Sequence, residues 1–222
     1  MDKQKLYAFL SDLLTEERKS LFDKVIKYRT RHLTVVLENI FQPHNASAVM
    51  RSCDLNGIQD IHVIENNNEY TVNPEVAMGS TKWLNIYRYN ESGNNTLSAI
   101  DHLRSQGYKI IATTPHKESF TPFNMPLDNK CALLFGTELS GLSDLAIANS
   151  DEFLRIPQFG FTESYNISVS AALILFTLTN RLHQSGAHWR LNAEELIDTK
   201  LEWARRTIKR SDLIEEQFLK QK

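Results

Sequence analysis

The amino-acid sequence predicts an α/β protein, a mostly parallel sheet between helices with a helical extension at each end. Three observations predict it. Short β-branched and aliphatic runs alternate with helical stretches from residue 33 to residue 183, the pattern of βαβ units. Residues 4–31 and the polar stretch from Asn192 onward carry helical periodicity. Glycine is scarce, eight in 222 residues, and neither G-x-G-x-x-G after a strand nor G-x-x-x-x-G-K-[ST] occurs. A nucleotide-like cofactor would therefore have to be held without a glycine-rich phosphate loop.

The elements follow in order. Leu6, Phe9, Leu10 and Leu13, then Leu21, Val25 and Tyr28, mark helix with a break near Thr15. Leu33–Ile40 reads as a buried strand, and Pro43 opens a helix that Gly57 stops. Ile61–Ile64 is a strand followed by an Asn-rich turn at Asn66–Asn68, and Trp83–Tyr89 is the next strand. A helix over Thr96–Gln106 stops at Gly107, and the strand Tyr108–Thr114 ends at Pro115. Ala132–Phe135 is a central strand running into Gly136, a short helix follows Ser143, and Phe153–Ile156 is the last strand. Asn166–His183 is the longest apolar helix, stopped by Gly186.

Composition narrows the class. With 41% hydrophobic and 23% charged residues the chain reads as a soluble globular protein. No apolar run approaches the roughly 20 residues that span a bilayer, and the start lacks the pattern of a signal peptide. Cys53 and Cys131 stand without C-x-x-C spacing, so reduced thiols are expected, in a cytoplasmic protein with neither disulfide nor metal site. The net charge of −2 hides an asymmetry: residues 33–189 hold 9 Lys and Arg against 15 Asp and Glu, while the ends are basic in patches. Arg18, Lys19, Lys24, Lys27, Arg29 and Arg31 face only Asp23, and Lys200, Arg205, Arg206, Lys209 and Arg210 face only Glu202. Such runs are either solvated helix faces or basic arms that hold a phosphate backbone, and charge alone does not choose.

Three segments carry the chemistry. Asn45-Ala-Ser-Ala-Val-Met-Arg51 follows the first strand, at the sheet edge where α/β proteins place their sites. Its two polar ends lie about 120° apart around a helix, so only the reach of an arginine joins them, and a cap Asn with a surface Arg is the structural alternative. Phe135-Gly-Thr-Glu-Leu-Ser-Gly-Leu-Ser143 turns off a strand with Glu138 at the same edge, although a tight turn with an exposed Glu reads equally well. The run Ile156-Pro-Gln-Phe-Gly-Phe-Thr-Glu-Ser-Tyr-Asn-Ile-Ser168 enters the long helix at Asn166. Unpaired N–H groups at a helix start favour electron-rich ligands, and the alternative is a buried helix with polar caps.

Together, in this order, the segments resemble the three motifs of the SpoU (SPOUT) 2'-O-ribose RNA methyltransferases. Asn45 and Arg51 match the first motif. Phe135, Gly136, Glu138, Gly141, Leu142 and Ser143 match the second, and Ile156, Pro157, Gly160, Ser164, Asn166 and Ser168 the third. Thr137 stands where the family has Asn, and Tyr165 where it has Leu. Within the family the likeness is to the TrmH group, which pairs a Leu-Thr-Val-Val-Leu-Glu-Asn strand and a Pro-His-Asn turn with helical extensions at both ends.

The resemblance implies a C-terminal trefoil knot, a homodimer, and methyl transfer from S-adenosyl-L-methionine to the 2'-hydroxyl of the D-loop guanosine at position 18 of tRNA. It implies a catalytic set of Arg51, Asn45, Glu138, Ser164 and Asn166, and cofactor contacts from Thr113, Gly136, Ile156 and Tyr165. It also gives the basic arms a purpose, with Arg18, Lys24, Lys27, Arg29, Arg31, Arg205, Arg206, Lys209 and Arg210 as contacts to tRNA phosphates. The organisation expected is a helical N-terminal extension over 1–32, a catalytic domain over 33–189 and a helical C-terminal extension over 190–222. Two alternatives stand beside it: the same chemistry on ribosomal RNA, and a knotted RNA-binding protein without catalysis. The short stretch before the first strand favours tRNA over ribosomal RNA.

Overall fold

The β-branched and aliphatic runs become six strands of one sheet in the computed structural model, which describes residues 2–71, 73–91, 93–117 and 119–220. In chain order the elements are α1 (Lys3–Ser11), α2 (Glu16–Val25), β1 (Leu33–Glu38), α3 (Pro43–Leu55), β2 (Asp60–Ile64), α4 (Pro74–Ala77), β3 (Asn85–Tyr89), α5 (Asn95–Ser105), β4 (Lys109–Thr113), β5 (Cys131–Phe135), α6 (Asp144–Ala148), β6 (Glu152–Leu154), α7 (Ile167–Gln184), α8 (Ala193–Thr207) and α9 (Ser211–Lys220). The strands lie in the order β3-β2-β1-β5-β4-β6, with each neighbouring pair parallel.

Alternation along the strands supplies two cores. Val35 and Leu37 of β1, with Leu133 and Phe135 of β5, pack on the face covered by Val49 and Met50 of α3 and Ile174, Leu175 and Leu178 of α7. Val36, Ala132 and Leu134 point the other way, onto Ala99, Ile100 and Leu103 of α5 and Ala146 of α6. Covered on both faces, the central strands are apolar at nearly every position, as buried parallel strands are. His62 of β2 is buried beside Tyr87, Tyr89 and His102, and its Nδ1 lies 2.9 Å from the Tyr89 hydroxyl. Burial, with His102 nearby, drives its pKa down to about 3. Cys53 and Cys131 are free and buried, and burial pushes the Cys131 thiol up to about 11.

The chain forms two compact units, one of residues Thr30–Trp189 and one of Met1–Arg29 with Arg190–Lys222. In the second, α1 packs against α8 and α9, and the Trp203 ring of α8 meets Phe22 of α2 edge-on at 5.3 Å. Ion pairs join its sequence-distant halves, Lys3 to Asp198 at 2.7 Å and Lys200 to Asp23 at 2.6 Å. Asn192 starts α8 with a capping box that includes Glu195.

Some strand boundaries differ from expectation, each for a local reason. β1 stops at Glu38 because Asn39 takes a left-handed φ of 54°, and its side chain accepts from the N–H groups of Asn66 and Asn67. β3 starts at Asn85 because Ser80–Trp83 is a 3-10 turn. β6 ends at Leu154, where Arg155 N–H turns to the Phe120 carbonyl instead of a strand. The helix α4, a single turn capped by Asn73, lies in a stretch where the periodicity predicts nothing.

Candidate functional site

Parallel strands end on one edge, and the switch point between β1 and β5 is where such sheets place ligands. The segments following β1, β4, β5 and β6 all emerge there. At Gly136 the chain leaves β5 with no room to spare: a Cβ there would sit 2.1 Å from the Gly141 carbonyl carbon and 2.2 Å from Leu142 N. The loop folds back through paired N–H···O bonds between Thr137 and Gly141, at 2.9 and 3.0 Å. The Thr137 hydroxyl accepts from Ser140 N–H at 3.1 Å, so a Thr at this family Asn position still closes the turn.

Asn166 gathers the three motifs. Capping α7, its Oδ1 accepts from the Ser168 N–H and hydroxyl at 2.8 and 2.6 Å. Its Nδ2 donates to Glu138 Oε1 and, at 3.3 Å, to Asn45 Oδ1. Asn45, buried in the first turn of α3, passes the line on by donating to Gln42 Oε1 at 3.1 Å. Arg51 lies further along α3, exposed, with no hydrogen bond or ion pair among the described residues. Its guanidinium is free among the described residues.

Beside this line lies a cavity of about 500 Å³. Thr113, Gly136, Ile156 and Tyr165 all line it, as do Glu138 and Ser164. The Thr113 hydroxyl donates to the Leu134 carbonyl at 2.6 Å, which leaves only its lone pairs for a ligand. Phe135, Leu154, Ile167 and Ile174 supply an apolar wall. Asn45, Arg51 and Asn166 lie outside the lining. Sequence reasoning missed His116 and Lys117 at the cavity and Gln42 on the amide line. The signal for the first two was available: they follow β4, another strand ending on the same edge.

The basic arms need correction at Arg29, and Arg31 and Arg205 carry acidic partners. Arg29 is 1% exposed and stacks its guanidinium over Trp203 at 5.3 Å, so it holds the helices together and offers nothing to a phosphate. Arg31 belongs to the sheet unit, its Nε 2.9 Å from buried Asp60. Arg205 is held by Glu215 at 2.7 Å and Glu202 at 2.5 Å, and these hydrogen bonds raise its pKa further. Lys24, Lys27, Arg206, Lys209 and Arg210 are exposed, and Arg18 is partly buried.

A cavity walled by a compulsory glycine, at the carboxyl edge of a parallel sheet and next to an Asn–Glu–Asn cluster, defines a ligand-binding α/β enzyme. Residues 32–176 match the SpoU rRNA methylase family, and the chain belongs to it. It is 42% identical over 214 residues to the tRNA (guanosine(18)-2'-O)-methyltransferase of Borreliella burgdorferi, covering 96% of both chains. The crystal structure of the A. aeolicus TrmH/SpoU tRNA modifying enzyme superposes with a TM-score of 0.77 at 26% identity, over 88% of this chain and 98% of that one. The AdoMet-bound rRNA methyltransferase of Sinorhizobium meliloti superposes with a TM-score of 0.59, also at 26% identity, over 73% of this chain and 60% of that one.

Proposed function

We propose that the protein transfers a methyl group from S-adenosyl-L-methionine to the ribose 2'-hydroxyl of guanosine 18 in tRNA. The observation that carries this is the single amide of Asn166, which ties residues of all three motifs together beside the cavity. The relative in Borreliella burgdorferi, matched over nearly its whole length, supports guanosine 18 of tRNA over ribosomal RNA.

The donor set fits the cofactor. The cavity's volume falls within the range of roughly 300–1,000 Å³ usual for small-molecule sites, and its walls combine aliphatic side chains with polar groups of Thr113, Glu138 and Ser164. Thr113, Gly136, Ile156 and Tyr165 would hold it. When bound, S-adenosyl-L-methionine supplies an electrophilic methyl on its sulfonium. The protein's part is alignment of the ribose oxygen with that methyl, which can account for several kcal/mol of the barrier. Arg51 clamps the neighbouring phosphate and stabilises negative charge growing on the oxygen, a role its planar fork of donors suits. Glu138, Asn45 and Asn166 hold one another in register, and Ser164 faces the ribose from the cavity wall.

Lys24, Lys27, Arg206, Lys209 and Arg210, with Arg18, form the tRNA contact. The protein acts in the cytoplasm as a knotted homodimer. Val169, Leu173 and Phe176, exposed at i, i+4 and i+7 along α7, support a partner on that face. The test is methyl transfer from labelled cofactor to unmodified tRNA, followed by mapping of the modified nucleotide. The proposal predicts label at guanosine 18; label on ribosomal RNA alone would overturn the substrate, and no transfer to any RNA the chemistry.

A further inference from the structure

We infer that Glu38 is a positioning residue of the cofactor site, clamping the loop 136–143 to the end of β1. The inference rests on the proposed binding of S-adenosyl-L-methionine and concerns a buried carboxylate that the mechanism above does not use. Glu38 is the last residue of β1 and is 1% exposed. No ion pair compensates it among the described residues. A buried carboxylate without a cation is costly unless donors surround it. Three do. Oε2 accepts the Ser143 N–H at 2.8 Å, and Oε1 accepts the Ser143 and Thr96 hydroxyls, each at 2.7 Å.

The direction of these bonds follows from their neighbours. Ser143 Oγ already accepts from Ala146 N–H at 3.1 Å as the cap of α6, and Thr96 Oγ1 already accepts from Asn66 Nδ2 at 2.9 Å. Each hydroxyl has one proton, and it points that proton at Glu38 as a hydrogen-bond donor. Only a side chain that accepts at both oxygens serves here. The clamp matters to the site because of what it closes. The loop begins at Gly136, fixed by β5 and by contact with Gly141, and ends at Ser143, fixed by Glu38. Between those points lie Glu138, which meets Asn166, and a wall of the cavity. One carboxylate therefore sets both the cofactor wall and the Glu138 end of the amide line.

Glu38→Gln keeps the shape but turns an acceptor into a donor, so at least one of the three protons faces another. Titration calorimetry with S-adenosyl-L-methionine is the readout, with thermal unfolding measured alongside. Glu38→Gln is expected to weaken cofactor binding about tenfold. Thr96→Val, which leaves the Ser143 clamp intact, should stay within about twofold. Ser143→Ala should weaken binding in the same sense as Glu38→Gln, and the double variant should bind no worse than the weaker single, because both break one clamp. Glu38→Gln that binds like wild type while melting earlier would overturn the inference, leaving a purely structural carboxylate; so would additive losses in the double variant. Should Glu38→Gln fail to fold, wild-type binding by Ser143→Ala overturns it equally. A wild-type protein that does not bind the cofactor would instead sink the proposed function, and the clamp's role with it.

Discussion

The sheet edge and the terminal helical unit both concentrate polar and charged residues, and they use them in opposite ways. At the edge, Asn45, Glu138 and Asn166 come from segments up to 121 residues apart and meet in one hydrogen-bonded line. In the terminal unit, basic residues adjacent in sequence are divided by what packs over them. Lys27 is exposed, while Arg29, two positions on, is buried under Trp203. A motif residue is placed by the strand it follows, a charge in a run by whatever side chain packs against it.

The largest effect should come from Arg51, a motif residue whose side chain has no partner among the described residues. Arg51→Ala is expected to lower methyl transfer by about three orders of magnitude, the loss typical of a transition-state donor. Its melting temperature should stay close to wild type, because the side chain is exposed and unpartnered. Arg51→Lys that kept near-full activity would break the comparison, since a lysine lacks the planar fork. Gly136→Ala should destabilise by about 1–3 kcal/mol, as overpacking does, and abolish cofactor binding, because the clash is with backbone that cannot rotate away. Urea unfolding and calorimetry would read the two losses.

The terminal unit predicts the converse pattern. Arg29→Ala should cost roughly 2 kcal/mol of stability through lost packing and stacking on Trp203. Lys27→Ala should leave stability unchanged, weaken tRNA binding a few-fold and reduce the salt slope of binding by about one. Equal effects on stability from the two would erase the distinction.

A smaller effect concerns acid. His62 has a folded pKa of about 3 against 6.5 in the unfolded chain, so only the unfolded chain takes up this proton between those values. Stability from this group is complete above pH 6.5 and falls steadily as pH drops toward 3, by about 2 kcal/mol at pH 5. Urea midpoints from pH 7.5 to 5 should follow that slope, and His62→Asn should flatten it.

The sheet was legible because buried parallel strands announce themselves as apolar runs, and the site because its residues follow those runs. Glu38 carried a signal too, a single carboxylate ending an otherwise apolar strand, but its partners Thr96 and Ser143 are 58 and 105 residues away. No local pattern states such a pairing. The basic arms failed at Arg29, and the acidic partners of Arg31 and Arg205 were not foreseen, for a related reason: charge is visible in sequence, while the partner it meets is set by packing. The strand limits at Asn39 and Leu154 depended on side-chain and loop hydrogen bonds to distant segments, which periodicity does not encode.

The junction at Asn166 has a bearing on the order of folding. Its partners Asn45 and Glu138 precede it by 121 and 28 residues, and it caps the last helix of the sheet unit. Closing loops of that length costs chain entropy before any contact returns it, so the line can form only once α7 has docked. A nascent chain still short of α7 would lack the amide that joins its first two motifs, and competence to handle a methyl donor would arrive only with that helix.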